Sequence, residues 1–354
     1  MQMTRKASEC DFDDVIQDKK RVNLDTSYSR VYDVEFTKLE ENGFTVLPSV
    51  LTSDECSVIR DKIWSWLENV GTGIQRDKPE TWKSASWPIN LHGILQYSIG
   101  HEQFAWDVRQ HPAVHDAFKK LWVHFGVEEK RASDLLVSFD GVCIMPAPEL
   151  AGWGMKQKPW PHTDQGVDAK PYSSKSRGVS CIQGVVNLAD VNENDATLIV
   201  YPGSHNYHAE LLKTRHTGDK SGWVRLGDGD DAWLAERGCR PTRVTGKAGD
   251  MFLWDSRTIH CNTPPRLPRD EPHSRMVVYA CMMPRSGCPV GTLEKTLLKR
   301  RALFESKRMT PHLPYPTGTF PKTPRTYNNP KAVVPTPPSE LPVLTPLGRR
   351  LVGY

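Results

Sequence analysis

Short apolar runs closed by glycine or proline constrain this 354-residue chain more than any other feature. Leu135–Met145, Val179–Leu188, Thr197–Tyr201, Gly249–Trp254 and Arg275–Met283 are rich in β-branched and aromatic residues and end at turn formers. Runs of this kind read as strands, and several of them in succession argue for a β-sandwich or barrel. Side chains alternate along a strand, so Val179–Leu188 puts Gln183 and Asn187 on one face and Ile182, Val186 and Leu188 on the other. A polar pair on an inward face needs partners.

Helices cover this β framework. Gly43-Phe-Thr-Val-Leu-Pro reads as a short strand, and Thr52-Ser-Asp-Glu55 as a capping box. The helix beyond it carries Val58, Ile59, Ile63, Trp66 and Leu67 at helical spacing. Further helices are expected at Phe104–Arg109, Pro112–Phe125, Asp231–Arg237 and Leu293–Lys307. The organisation expected is a polar lead-in over 1–30, one domain over 31–308, and a basic proline-rich tail over 309–354. Eleven prolines between Pro311 and Pro346 exclude regular helix there, leaving a segment disordered or extended on the domain. From Gly291 onward there are 11 Lys/Arg and 3 Asp/Glu, or +8, against +4 for the whole chain, so residues 1–290 carry −4.

No apolar run approaches the roughly 18–20 residues that span a membrane. The N-terminus lacks the apolar core of a secretory signal, so the expected location is intracellular. The eight cysteines form no Cys-x-x-Cys pair. Cys143, Cys181 and Cys281 sit in strand-like runs as small buried hydrophobes.

Chemistry concentrates in Trp160-Pro-His-Thr-Asp-Gln165, where His162 and Asp164 lie two residues apart. In an extended segment that spacing puts both side chains on one face. His260 follows the strand Gly249–Trp254, and Arg275 opens the next apolar run. Two histidines and a carboxylate with open positions form the ligand set of a non-haem Fe(II) oxygenase. A His-x-Asp pair alone arises often by chance; the downstream histidine and strand arginine distinguish this one. An arginine there can hold a carboxylate through paired hydrogen bonds. The aromatic stretch 70–100, with Trp82, Trp87, His92, Gln96 and Tyr97, is a candidate pocket wall.

These residues carry a resemblance to the phytanoyl-CoA dioxygenase family of Fe(II)- and 2-oxoglutarate-dependent oxygenases. It covers Gly43 to Pro284 and rests on Gly-Phe-Thr-Val-Leu-Pro, Trp-Pro-His-Thr-Asp-Gln, Pro-Gly-Ser-His205, Gly-Asp-Met-Phe-Leu-Trp-Asp255, His260 and Arg275. Two departures stand out: the turn Glu193-Asn194-Asp195, where the family more often has Asn-Gly, and the insert Pro264–Pro272 between His260 and Arg275. The insert makes Arg266 and Arg269 rivals of Arg275 for the carboxylate, but neither lies on a strand. The resemblance implies a double-stranded β-helix, or cupin-like jelly roll, mainly β with covering helices. It implies Fe(II) held by His162, Asp164 and His260, 2-oxoglutarate paired to Arg275, O2 as oxidant, and ascorbate as a compatible reductant. Gln183, Thr163 and Asn262 are further candidates for contact with the cosubstrate or for orienting a ligand. Ser204 and His205 are expected to stabilise a loop rather than bind metal.

The leading expectation is hydroxylation of a C–H bond in a small or medium organic molecule, with release of succinate and CO2. Relatives that halogenate leave the carboxylate's position to chloride, and this chain keeps Asp164. A nucleobase or nucleic acid is the second substrate class, suggested by the basic tail and the aromatic loop but opposed by the acidic body. A retired jelly-roll binding module would not need His162, Asp164, His260 and Arg275 together. A cupin-like metalloenzyme without 2-oxoglutarate would not need Arg275. Specificity is expected in loops 70–100, 146–160, 165–178 and 206–240.

Overall fold

Backbone hydrogen bonding joins the apolar runs into two antiparallel sheets whose inner faces share one core. The computed structural model describes residues 26–354 except 96, 156–157, 173–177, 220–221, 316–317, 323, 327–328 and 330. Gln96, most of the polar lead-in and part of the 165–178 loop thus lie outside the described residues. In chain order the strands are β1 (Phe44–Leu47), β2 (Ile94–Leu95), β3 (Leu135–Val137), β4 (Val142–Met145), β5 (His162–Thr163), β6 (Ile182–Asn187), β7 (Thr197–Val200), β8 (Val224–Arg225), β9 (Thr242–Arg243), β10 (Met251–Asp255), β11 (His260–Thr263), β12 (Arg275–Tyr279) and β13 (Met282–Pro284). The helices are α1 (Thr26–Asn42), α2 (Ser53–Asn69), α3 (Gln103–Arg109), α4 (Pro112–His124), α5 (Glu129–Ala132), α6 (Pro148–Ala151), α7 (His208–Arg215), α8 (Asp230–Glu236), α9 (Leu293–Glu305) and α10 (Pro346–Val352).

One sheet has the order β1-β10-β6-β12-β4-β2, the second β8-β5-β11-β7-β9, and β13 pairs with β3. Alternation divides each strand of the larger sheet between two cores. Cys143, Met145, Val185, Phe252 and Val277 point inward and meet Leu198 and Val200 of the smaller sheet. Val142, Ile144, Val186, Leu253 and Val278 point outward and pack under the helices with Phe36, Ile63 and Trp106. Two facing antiparallel sheets with helices over one outer face make this a jelly roll.

Local chemistry explains several boundaries. The Thr52 hydroxyl accepts from Glu55 N at 3.2 Å, and Glu55 accepts from Thr52 N at 2.8 Å, closing the capping box of α2. The buried stripe of α2 is Cys56, Ile59, Ile63 and Leu67; Val58 is exposed instead, because the face turns toward Cys56. The single run expected over Leu135–Met145 breaks at Asp140-Gly141 into β3 and β4, which belong to different sheets. The 206–240 insertion is more ordered than expected. Besides the predicted helix it supplies α7 and β8, and β8 pairs with β5.

The basic tail folds back onto the domain. Arg300 of α9 is fully buried and donates to the carbonyls of Val137, Pro314, Leu351 and Val352 at 2.6–2.9 Å. Burial lowers its pKa to about 9, and four carbonyl dipoles solvate the guanidinium in place of water. Arg300→Met should cost about 3 kcal/mol or more, because those carbonyls lose a charged donor inside the protein. Denaturant unfolding measures this, and an unchanged midpoint would rule out the clamp.

Candidate metal centre

Strand register brings the two histidines together. β11 meets β5 at one residue pair, His260 opposite His162, and directly opposed residues in an antiparallel pair have Cβ atoms ~4.5–5.5 Å apart. The ring centroids are 4.4 Å apart. Asp164 follows β5, and its amide donates to Ser256 O at 3.0 Å. The Thr163 hydroxyl donates to the same carbonyl at 2.9 Å. Ser256 thereby ties the His-Thr-Asp segment to the loop that leads to His260.

That loop is itself built on Gly43. The Gly43 carbonyl accepts from Asp255 N at 2.9 Å and from the Thr258 hydroxyl at 2.8 Å. Gly43 has φ +78°, and a Cβ there would lie 2.3 Å from Thr258 Oγ1, so only glycine fits the approach. Ser204 accepts from Ile259 N at 2.9 Å, and a ring nitrogen of His205 bonds with Glu40 O at 3.0 Å. Ser204 holds the loop, and His205 ties its own turn to α1, both from outside the metal centre.

Both imidazoles are oriented by carbonyls. His162 Nδ1 lies 3.1 Å from Trp160 O, and His260 Nδ1 lies 2.9 Å from Thr258 O. A carbonyl only accepts, so each Nδ1 carries the hydrogen and each Nε2 keeps its lone pair. The two Nε2 atoms lie 3.6 and 3.3 Å from the Asp164 carboxylate, and the three ligand atoms lie within 4.8 Å of one another. Donors at right angles around one ion are about 3 Å apart when each bond is about 2.1 Å. The donor set and spacing therefore fit a divalent transition metal. Burial lowers the His260 pKa, and the neighbouring His162 lowers it further, which favours the neutral ligand form. Burial alone would raise the Asp164 carboxyl, but the surrounding imidazoles of His162, His312 and His260, when protonated, hold it well below the usual range.

Gln183 on β6 faces this cluster and donates to Asp164 Oδ2 at 2.8 Å. Asn187, on the same strand face, instead donates to Asp250 O at 3.2 Å, away from the ligands. Arg275 lies across the same cavity and is 3% exposed. Its Nη1 reaches Ala196 O at a long 3.5 Å, and its Nε has no hydrogen-bond partner among the described residues. The neutral Tyr279 hydroxyl and Cys143 thiol bond it as well, so no acidic group among the described residues pairs this buried guanidinium, and an anion in the cavity would do so. The rivals are disposed of differently: Arg266 is exposed, and Arg269 is taken by Glu149 and Asp195. Asp195 also pairs with His273 at 3.0 Å. The unusual turn and the unusual insert are therefore one feature, a carboxylate on β7's approach that anchors the insert.

A cavity of about 670 Å³ joins these groups. Trp160 stacks on His162 with centroids 4.6 Å apart and planes 14° apart, and His92 stacks on Trp160. Asn262 lines the cavity and donates to His92 O at 2.6 Å, holding the aromatic loop against it. Thr163 faces away, and Trp82 and Trp87 are packing residues outside this cavity. Trp223 and Arg225 come from the 206–240 loop expected to carry specificity, whereas several wall residues escape sequence reasoning: Asp140 from the β3–β4 break, Tyr279 of β12, and His312, Leu313 and Phe320 of the tail. No motif marks them; each arrives by tertiary contact alone.

Gln183→Leu should weaken divalent metal binding by roughly tenfold or more, because it removes the donor that orients a ligating carboxylate. Calorimetric titration of wild type and variant with Co(II) checks this, and equal affinities would exclude the role.

Comparison with known proteins agrees with this geometry. The family model described as phytanoyl-CoA dioxygenase matches residues 39–264. A protein of Aspergillus versicolor named Ava biosynthesis cluster protein O is 27% identical over 315 residues, covering 84% of this chain and 91% of its own. Among solved structures, a hypothetical protein from Escherichia coli superposes with a TM-score of 0.54 at 14% identity, covering 90% of this chain and 81% of that one. An epimerase solved with Fe3+, alpha-ketoglutarate and nogalamycin RO has a TM-score of 0.46 at 18% identity, covering 72% and 84%. With a family model matched over more than half its length, the chain belongs to the phytanoyl-CoA dioxygenase family and is a non-haem iron- and 2-oxoglutarate-dependent oxygenase.

Proposed function

We propose that this oxygenase hydroxylates a C–H bond of a small or medium organic molecule, with His162, Asp164 and His260 as the metal ligands and Arg275 as the anchor of 2-oxoglutarate. The observation that carries the reading is the buried Arg275 guanidinium, without an acidic partner among the described residues, in the wall of the cavity that holds the triad. Bound at the triad, Fe(II) supplies the redox chemistry that couples O2 and the decarboxylation of 2-oxoglutarate to succinate with hydroxylation.

The chain's own residues do the positioning. Arg275 binds the far carboxylate of the cosubstrate, whose charge satisfies the guanidinium. Trp160, Trp254 and the inner strand faces exclude water, which strengthens each polar contact inside. Gln183 holds the Asp164 carboxylate in place, and the retained carboxylate favours hydroxylation over halogenation.

Support for a small substrate comes from the half-open cavity with its largely apolar wall and from the curated relative, whose name assigns it to a biosynthesis cluster. Nucleic acid is the weaker reading: Arg300 is buried and Arg308 donates to Phe320 O at 2.7 Å, while Lys322, Arg325, Lys331, Arg349 and Arg350 of the tail are exposed. Among the described residues no helix is long and apolar enough to cross a membrane.

The test is succinate release from 2-oxoglutarate by the Fe(II)-loaded protein. Turnover should require oxygen and vanish in Asp164→Ala. Arg275→Ala should raise the KM for 2-oxoglutarate roughly 10- to 100-fold, the loss expected for a charge-assisted hydrogen-bond pair. Unchanged KM in that variant would remove Arg275 from the cosubstrate site.

Metal loading should weaken as the pH falls, because protons compete for the imidazole and carboxylate lone pairs. Titration with Co(II) at neutral and acid pH follows it directly, and a pH-independent affinity would contradict ligation by these groups.

A further inference from the structure

The family model ends at residue 264, yet the metal cavity is completed by residues nearly fifty positions later. Pro311, His312, Leu313 and Phe320 all line it. This stretch is fastened at several points. Thr310 N donates to Phe139 O at 3.0 Å, and Phe139 N donates to the Thr310 hydroxyl at 2.9 Å. Phe320 N donates to Met309 O at 3.1 Å, so the chain returns to where it started. Arg308 Nη2 and Arg300 Nη1 hold the carbonyls of Phe320 and Pro314 at 2.7 Å each, and the Tyr315 hydroxyl bonds to Pro284 O. Anchors of this density belong to a wall, not to a loose end lying over an opening.

His312 is the polar group on this wall. Its side chain is 15% exposed, and Nδ1 lies 3.9 Å from Asp164 Oδ2. Its Nε2 is buried without a hydrogen-bond partner among the described residues. Leaving a buried imidazole nitrogen unpaired costs free energy unless a ligand supplies the partner. The surroundings are largely aromatic and apolar, with the buried Asp140 carboxylate near enough to interact with the ring: Phe320 and Leu313 on the tail, Tyr279 on β12, and Trp223, 47% exposed with its ring 5.3 Å from that of His162. Arg275 already accounts for the dianionic cosubstrate, so His312 is left for the other ligand.

We propose that the tail is the substrate wall of the site: His312 binds a hydroxyl or carbonyl group of an otherwise apolar, aryl-bearing substrate, and Phe320 packs on its ring system. This rests on the oxygenase reading above and adds the substrate class. His312 is a specificity-determining residue, and the hydrogen bond it forms sets which carbon of the substrate faces the metal.

The test uses the full-length protein loaded with Mn(II), which binds without turnover, and two probes of equal shape, 2-naphthol and naphthalene. Binding of each is measured by fluorescence titration, with 2-oxoglutarate binding measured separately by calorimetry. Wild type should prefer 2-naphthol by roughly three- to tenfold, the worth of one buried hydrogen bond. His312→Ala should erase that preference while leaving 2-oxoglutarate affinity unchanged. His312→Phe keeps a ring in place and should erase it too, which separates the lost nitrogen from lost packing or misfolding. Phe320→Ala should weaken both probes equally. No preference in wild type, or a preference that survives in both His312 variants, would overturn the assignment, as would identical binding of both probes by Phe320→Ala and wild type. Failure of wild type to bind 2-oxoglutarate would strike the oxygenase reading instead, and is read in a different titration.

Discussion

The contact on which the site depends is the pairing of β11 with β5 at His260 and His162. It is a single rung of the smaller sheet, and slipping it by one residue would turn one imidazole to the opposite face. Several backbone contacts prevent the slip. Ser256 O gathers the amide of Asp164 and the hydroxyl of Thr163, while Gly43 O holds the next turn of the same loop. Carbonyls then orient both rings so that Nε2 of each faces the carboxylate. The ligand geometry is thus set by main-chain hydrogen bonds, which are directional and tolerate little displacement.

The larger sheet contributes a different kind of group. Gln183 and Arg275 project inward from β6 and β12, where their neighbours are the apolar residues of the inter-sheet core. Buried polar side chains are destabilising unless paired. Gln183 is paired within the protein, by Asp164. Arg275 Nε and His312 Nε2 have no hydrogen-bond partner among the described residues, and both residues line the cavity. Their place in the wall of the triad's cavity sets them apart from unpaired buried atoms elsewhere in the chain, such as Trp106 Nε1 and Ser138 Oγ.

Much of this was legible in the residues. The Gly/Pro-punctuated runs indicated an antiparallel β architecture, and the His162, Asp164, His260 and Arg275 pattern indicated the chemistry. The capping box at Thr52 ended where its residues required. Other features were not legible. The run Leu135–Met145 gave no sign of dividing between two sheets, since apolar residues on both sides of Asp140-Gly141 satisfy either sheet. Val58 sat at helical spacing but on the solvent side, because the helix's rotation is chosen by the surface it packs on. Asp195 and Arg269 looked like separate departures from the family pattern, and only their ion pair makes them one.

By itself the sequence determined the class of fold and the class of enzyme, because strand periodicity and ligand chemistry are local properties of residue types at short spacing. Tertiary structure decided everything that arrives from a distance. It paired Arg269 with two carboxylates and left Arg275 with none among the described residues. It turned a proline-rich basic tail into a cavity wall, because Arg300 and Arg308 spend their charges on buried and backbone carbonyls rather than on solvent. An isolated histidine at position 312 carries no motif; its meaning comes entirely from lying 3.9 Å from Asp164, a residue 148 positions away.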